Sequence, residues 1–199
     1  MRTTDQQAAL GTRERIVRTT ARLLQRQGFE GTGIKQIARE AEATLGSVYH
    51  FFPGGKQELA VAAIQHGDQE FAELLRDGLA TEDDPAEAIT ACTRLLATAL
   101  RESGWTEGCP VTATALETLD TSPEIQRACG AAIGHWCDLV AEKLRAAGLS
   151  EDDARDLALT IVNTLEGAET TAQVLHSETP LLTAGRHLAL LVRAHHQGS

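Results

Sequence analysis

The sequence predicts an all-α fold of about nine helices, and three observations lead to that class. Apolar residues recur every three to four positions along most of the 199 residues, which is the period of an amphipathic helix. Alanine, leucine, glutamate and arginine, all strong helix formers, are abundant. No segment shows the strict alternation of apolar and polar residues that marks a half-buried strand. We expect a three-helix domain over residues 1–57 and a larger helical domain over residues 58–199.

The N-terminal helices are predicted from their periodicity and from the signals at their ends. After a polar arm of about ten residues, a first helix should span residues 12–27, because Gly28 follows its last apolar position. A second, short helix begins at Ile34. The same spacing restarts at Leu45, with Thr44 as the N-cap of a third helix that ends at a Pro-Gly-Gly turn.

The C-terminal part contains six further predicted helices, several of which open on a proline or on an N-capping side chain. Acidic residues cluster near the start of two of them, where they complement the helix dipole. The expected spans are residues 56–79, 85–103, 111–119, 123–147, 151–176 and 179–195.

Charge is distributed unevenly along a chain whose net charge is -10. The first 57 residues hold nine Lys and Arg against five Asp and Glu, whereas the rest of the chain holds nine against 23. A basic head on an acidic body suits a protein that touches phosphates with one end only.

Cysteine usage and hydropathy limit the class of protein further. No apolar run reaches the roughly 18 residues of a membrane span, and no secretory signal opens the chain. The cysteines form no C-x-x-C pair and lack the histidine spacing of a zinc finger. We therefore expect a cytoplasmic protein with reduced thiols and without cofactor or metal. The four cysteines are Cys92, Cys109, Cys129 and Cys137.

The most informative segment runs from Ile34 to Phe52. Two short amphipathic helices joined by about three residues make a helix-turn-helix. The first helix of that motif lies across the DNA backbone, and the second is slim enough to enter the major groove. By spacing alone, any hairpin of two short helices looks similar.

Three runs of sequence in this region resemble the DNA-binding domain of the TetR family of bacterial regulators. They read GFEGTGIKQIA from Gly28, GSVYHFF from Gly46 and KQEL from Lys56. The resemblance implies a recognition helix near residues 44–51, a two-fold dimer on a palindromic operator, and a C-terminal domain with an inducer pocket. Two further runs, FPGGK from Phe52 and GCPV from Gly108 followed by Leu-Glu, resemble its LmrA/YxaF-like subgroup of repressors, often linked to drug-efflux operons.

The resemblance also assigns eight residues to the DNA contact. For the two lysines among them the alternative interpretation is solvated surface charge, and for Tyr49 it is a core aromatic. Residues implied in reading bases or nearby phosphates are Thr44, Leu45, Gly46 and Ser47, and those implied in holding phosphates are Tyr49, His50, Lys56 and Lys35.

Two positions depart from the family pattern. Glu42 stands in the turn where the family often has glycine, which predicts a left-handed backbone at that residue. Leu45 stands where a basic or small residue is common. Its apolar side chain could pack on a thymine methyl group, or it could mean fewer phosphate contacts.

The C-terminal domain is expected to hold a pocket rather than catalytic chemistry. For His135 the alternative interpretation is a histidine that only packs in the interior. For Glu166 and Glu169 the alternative is a solvated helix face. The predicted apolar walls are Phe71, Trp105, Cys109, Trp136 and Leu165, and the predicted polar groups are Thr112, Thr114, His135, Asn163, Glu166 and Thr170.

The last two helices are predicted to form the dimer interface, because each carries a long apolar stripe that could pack against its mate in a four-helix arrangement. Gly167 and Gly185 would let the helices approach closely. The stripes comprise Leu157, Ile161, Ala168, Ala172 and Leu175 on one helix and Leu188, Leu191 and Val192 on the other.

These features predict a ligand-responsive repressor that binds a palindromic operator as a dimer and is released by an apolar or aromatic small molecule. A transcriptional activator, or a constitutive DNA-binding regulator without an inducer, is the alternative. A hydrolase built on Cys109 would need an activating histidine and would leave the helix-turn-helix unexplained, so no enzyme is expected.

Overall fold

The computed structural model describes residues 11–198, with side chains described up to His195, and this part of the chain folds into nine α-helices without a strand. The all-α prediction is confirmed. No helix of the described part is long and apolar enough to cross a membrane. The helices are α1 (Thr12–Gln27), α2 (Ile34–Glu40), α3 (Leu45–Phe51), α4 (Lys56–Ala80), α5 (Pro85–Glu102), α6 (Pro110–Thr118), α7 (Pro123–Ala146), α8 (Glu151–Leu175) and α9 (Thr179–Gly198).

The helix ends form where the side-chain signals predict them. Thr44 caps α3, because its Oγ1 accepts a hydrogen bond from the Ser47 N–H at 3.0 Å. Ser150 caps α8 in the same way, through the N–H of Asp153 at 3.1 Å. Gly28 ends α1 with a φ of 70°. The predicted polar arm lies outside the described residues, and α9 runs past its predicted end to Gly198.

The chain packs as two units, and their limits differ from the predicted division after residue 57. The first unit holds the described residues up to Gly67 together with Pro110–Gly130. The second holds Asp68–Cys109 and the residues from Ala131 onward. The helix α6 joins the first unit because it packs on α1, a contact that periodicity alone does not reveal. The functional division at residue 57 stays a prediction.

The core of the first unit joins α1, α2, α3 and the start of α4. Ile16, Ile37, Val48 and Leu59 are completely buried in it, and Phe52 is almost so. Burying one such side chain contributes about 1.5–3 kcal/mol to stability. Val48, with Phe52 just after the helix, therefore fixes α3 on the unit and leaves most other side chains of α3 accessible.

Most residues of the predicted dimer interface lie in the core of the second unit in the isolated chain. Five of the eight predicted residues are buried within the isolated chain, where α8 and α9 pack on each other and on α5: Leu157, Ile161, Ala172, Leu188 and Val192. Ala168 and Leu191 are half-buried, and Leu175 is exposed. The apolar stripes are core stripes, so a partner could reach only the other faces of these helices.

The two glycines of that prediction also have different surroundings. A Cβ added at Gly185 would lie 2.3 Å from Thr93 Oγ1, so this glycine permits close packing of α9 on α5 within the chain. A Cβ added at Gly167 would meet no atom within 4 Å, so Gly167 lies on an open face of α8.

Candidate DNA-binding and effector sites

The turn between α2 and α3 has the geometry of a Schellman motif. Glu42 takes a left-handed backbone with a φ of 51°, as the sequence predicts. The Glu42 N–H donates to the Arg39 carbonyl at 3.3 Å, and the Ala43 N–H donates to the Ala38 carbonyl at 2.9 Å. These are the two hydrogen bonds that satisfy the last carbonyls of a helix ended in this way.

Replacing Glu42 by glycine should stabilise the protein by a few tenths to about 1 kcal/mol, because a residue with a Cβ is strained in this conformation. The glycine variant also removes an exposed negative charge from the helix-turn-helix, so we expect somewhat tighter DNA binding. A thermal melt and a DNA titration at two salt concentrations measure the two effects. Glu42→Ala serves as the control, since it removes the charge and keeps the strain. A lower melting temperature for Glu42→Gly would contradict the strain argument.

The helix α3 presents one row of side chains to the solvent. Val48 is buried, whereas Leu45 is 41% exposed and Tyr49 is 51% exposed. Thr44, Gly46 and His50 are exposed as well, and Ser47 is half-buried. The predicted base-reading residues therefore share the N-terminal part of one accessible helix, as entry into a major groove requires.

The two predicted phosphate-binding lysines have different surroundings. Lys35 on α2 is exposed. The Lys56 Nζ lies 4.3 Å from the centroid of the Phe29 ring and 3.4 Å from the Glu30 carbonyl oxygen, which it can reach as a donor. Lys56 therefore ties the start of α4 to the turn after α1, and a phosphate contact would have to share its ammonium group.

The helix α6 contacts the end of α1 through one carboxylate. Glu117 Oε2 accepts a hydrogen bond from the Glu30 N–H at 2.7 Å. A Cβ added at Gly28 would lie 2.0 Å from Glu117 Oε1, so the glycine leaves room for this carboxylate. The contact joins α6, which follows directly after Cys109, to the helix that supports the helix-turn-helix.

Two aromatic residues predicted to line a pocket pack on each other. Trp136 is completely buried, and its ring centroid lies 4.4 Å from that of Phe71. The Trp136 Nε1–H points to the backbone oxygen of Asp68 at 3.4 Å. Trp136 therefore belongs to the packed interior of the second unit, and the half-buried Phe71 ring packs on it.

His135 is held between two charged side chains. Its Nδ1 lies 2.9 Å from Asp68 Oδ1, and its Nε2 lies 3.0 Å from Arg76 Nη2. Because a guanidinium can only donate, Nε2 must accept from Arg76, which leaves Nδ1–H to donate to Asp68. The geometry is that of a packing histidine, which is the alternative interpretation of this residue.

The remaining predicted pocket residues have several different surroundings. Leu165 is buried in the core, and Thr114 is buried with a hydroxyl that has no hydrogen-bond partner among the described residues. Thr112 is half-buried. Asn163 and Thr170 are exposed on α8, where Thr170 Oγ1 donates to the Glu166 carbonyl of its own helix at 3.0 Å.

One group of side chains does converge, around Cys109. The ligand-bearing atoms of Cys109, Glu166 and Glu169 all lie within 4.8 Å of one another. Glu169 is only 9% exposed, which corrects the solvated face considered for this pair of glutamates. Burial and the neighbouring Glu166 raise the pKa of the Glu169 carboxyl to about 8, and the backbone N–H of Cys109 partly offsets this rise.

The other cysteines have the properties of packing thiols. Burial raises the pKa of Cys92 to about 12 and that of Cys129 to about 11. Burial and the nearby Asp138 also raise the pKa of Cys137. Thiolates are the reactive form of cysteine, so these three environments disfavour nucleophilic chemistry.

The fold and the accessible row on α3 define a helix-turn-helix DNA-binding protein, and comparison with known sequences gives the family. Residues 85–187 match the family model for the C-terminal domain of LmrA/YxaF-like transcriptional regulators, and residues 16–63 match that for bacterial regulatory proteins of the tetR family. The chain belongs to the TetR family and carries an LmrA/YxaF-like C-terminal domain. It is therefore a transcriptional regulator and not an enzyme.

Individual relatives agree with this family over nearly the whole chain. The regulator LmrA of Bacillus subtilis is 37% identical over 171 residues, covering 85% of this chain and 90% of LmrA. YxaF of the same organism, an uncharacterized HTH-type transcriptional regulator, is 34% identical over 181 residues, covering 91% of this chain and 95% of YxaF.

Solved structures of the family share the architecture. A TetR regulator from Chloroflexus aurantiacus is 31% identical, with a TM-score of 0.76 and coverage of 97% of both chains. A TetR protein from Rhodobacter sphaeroides is 24% identical, with a TM-score of 0.81 and coverage of 89% of this chain and 97% of that chain, and this likeness concerns the fold alone.

Proposed function

We propose that this regulator is a cytoplasmic repressor that binds a palindromic operator as a dimer and is released by an apolar or aromatic small molecule. The observation that carries the proposal is the division of α3 into two rows. Val48 anchors the helix in the core, while Leu45 and Tyr49 stay accessible on the other row. A helix held in this way can read base edges without losing its support.

Dimer formation is supported by the exposed rows of α8 and α9 in the isolated chain. These rows mix apolar and small side chains, and they lie opposite the core stripes of the same helices. They comprise Leu159, Asn163, Gly167, Thr170 and Val174 on α8, and Leu182 and Leu190 on α9. Two such helices from each subunit can form a four-helix interface, which places two copies of α3 on one duplex with two-fold symmetry.

The response to a ligand is supported by the position of α6. A small molecule that displaces Cys109 would shift the start of α6. The hydrogen bond that the Glu30 N–H donates to Glu117 would carry that shift to the turn after α1. A ligand releases DNA only if it binds the released conformation more tightly than the operator-bound one. Release of the operator by such a ligand makes the protein a repressor when the operator overlaps a promoter.

Two substitutions, one on α3 and one on α2, test the assignment of the helix-turn-helix on a duplex that the full-length protein selects from a random library. Leu45→Ala should remove the discrimination between base pairs at one position of each half-site. That discrimination is worth about 1–3 kcal/mol. Lys35→Ala should weaken binding to all duplexes alike and flatten the dependence of affinity on salt by about one unit per half-site. Fluorescence anisotropy at several salt concentrations measures both effects.

Arg94→Ala is the matched control for charge, because Arg94 is exposed on α5, outside the first unit. It should leave the salt dependence unchanged. If Leu45→Ala keeps the base preference, α3 does not read a base through Leu45, and if Lys35→Ala keeps the salt dependence, Lys35 of α2 holds no phosphate.

A further inference from the structure

The group around Cys109 combines three side chains that each offer one metal ligand. The thiol of Cys109 and the carboxylates of Glu166 and Glu169 come together although Cys109 is distant from the glutamates in sequence. Glu166 and Glu169 are one helical turn apart on α8, so their carboxylates project from the same face of that helix. All three residues belong to the second unit.

The loop that carries Cys109 is fixed against α8. Gln173 Nε2 donates to the backbone oxygen of Trp105 at 3.4 Å, and the Cys109 N–H donates to Glu169. A Cβ added at Gly108 would lie 2.3 Å from Gln173 Oε1, so a side chain at this position would displace the Gln173 amide from its place beside the loop. These backbone contacts place the Cys109 thiol next to the carboxylates.

Charge is the reason to expect a cation at this point. Glu169 is about nine-tenths buried beside the Glu166 carboxylate, and the Cys109 N–H donates to it. Two adjacent carboxylates in a low-dielectric site are costly while both are ionised, and either a shared proton or a positive charge between them relieves that cost. A divalent cation supplies that charge and accepts sulfur and oxygen donors together.

We propose that Cys109, Glu166 and Glu169 bind one divalent transition-metal ion of the zinc type. Zinc takes thiolate sulfur at about 2.3 Å and carboxylate oxygen at about 2.0–2.2 Å, and it is borderline in softness, so it tolerates this mixed set. Atoms within 4.8 Å of one another need shifts of only about 1 Å to reach such distances. Three protein ligands leave a fourth position open for water or for a ligand atom.

Cys109 directly precedes α6 along the chain, and Glu117 of α6 accepts from the Glu30 N–H in the turn after α1. Metal binding is nevertheless a claim independent of the proposed repressor function, since it can be measured without DNA. A protein that binds metal and ignores DNA would refute only the proposed function, and one that binds DNA and no metal would refute only this proposal.

Cobalt(II) is the probe, because a thiolate bound to cobalt gives a charge-transfer absorption band in the near ultraviolet. We expect the reduced, chelator-treated full-length protein to bind one cobalt ion per chain with such a band, and zinc to displace it. Cys109→Ser should abolish the band. Glu169→Gln should keep the thiol and weaken cobalt binding by at least tenfold.

Two controls separate this site from others. Cys137→Ser should keep the full band, because Cys137 is a half-buried cysteine that is not part of the group. His195→Ala should also keep it, because His195 is exposed near the end of α9 and is not a member of the group. The proposal is overturned by a wild-type protein without the band, by an unchanged band in Cys109→Ser, or by loss of the band in His195→Ala.

Discussion

A double substitution on the exposed row of α8, Leu159→Arg with Val174→Arg, should convert the protein from a dimer to a monomer in solution. The two side chains are 48% and 76% exposed in the isolated chain, so neither arginine disturbs the core. In a symmetric interface each substitution occurs twice, and the four added charges would be buried without partners. Sedimentation at micromolar concentration measures the change.

The same variant should bind a palindromic operator at least 100-fold more weakly. A dimer engages the second half-site as an intramolecular step, and that gain of effective concentration is lost in the monomer. Leu116→Arg with Leu119→Arg is the matched control, since these leucines are 71% and 55% exposed and lie outside α8 and α9. A double variant of α8 that stays dimeric would place the interface elsewhere.

Gly78→Ala should destabilise the protein by about 2 kcal/mol or more, although alanine is the better helix former. An added Cβ would lie 2.9 Å from the Cα of Cys92 and 3.0 Å from its N, so α4 and α5 would have to move apart. Backbone atoms cannot turn away as a flexible side chain can. The expected fall in melting temperature is roughly 4–8 °C for a chain of this size.

Gly134→Ala tests the same exchange where space is open. Gly134 lies within α7, and a Cβ built there meets no atom within 4 Å. This variant should gain about 0.5–1 kcal/mol from the lower freedom of the unfolded chain. If both variants change the free energy of unfolding in the same direction, close packing of α4 on α5 is not the reason that position 78 requires glycine.

The helices and their ends could be predicted because the information is local. Thr44 and Ser150 cap helices through N–H groups three residues away, and apolar spacing marks the buried row of each helix. The left-handed Glu42 was predictable for the same reason, since the family turn and the short link between α2 and α3 both demand a reversal at that point.

Periodicity marks an apolar row on a helix but does not say whether the chain itself or a partner covers that row. The stripe through Leu157 and Ile161 is buried within the isolated chain. The row through Asn163 and Gly167, which we propose for the dimer, mixes polar and small residues and has no apolar period in the sequence.

The surroundings of the predicted pocket residues depend on contacts between distant segments. The carboxylate of Glu169 is buried by a loop that lies before α6, and the imidazole of His135 is held by Asp68 and Arg76 from α4. Neither contact leaves a mark in the spacing of residues along the helix concerned. The expected absence of a metal rested on residue spacing, and no two of Cys109, Glu166 and Glu169 have zinc-finger spacing.

The most direct test of the proposed function is a titration of operator DNA with the full-length protein. The duplex is the one that the protein selects from a random library, and its selected sequence should have two-fold symmetry. We expect two chains per duplex and a loss of affinity of about 100-fold or more when one half-site is scrambled. Binding of a single chain, or equal affinity for the intact and the half-scrambled duplex, would contradict the account.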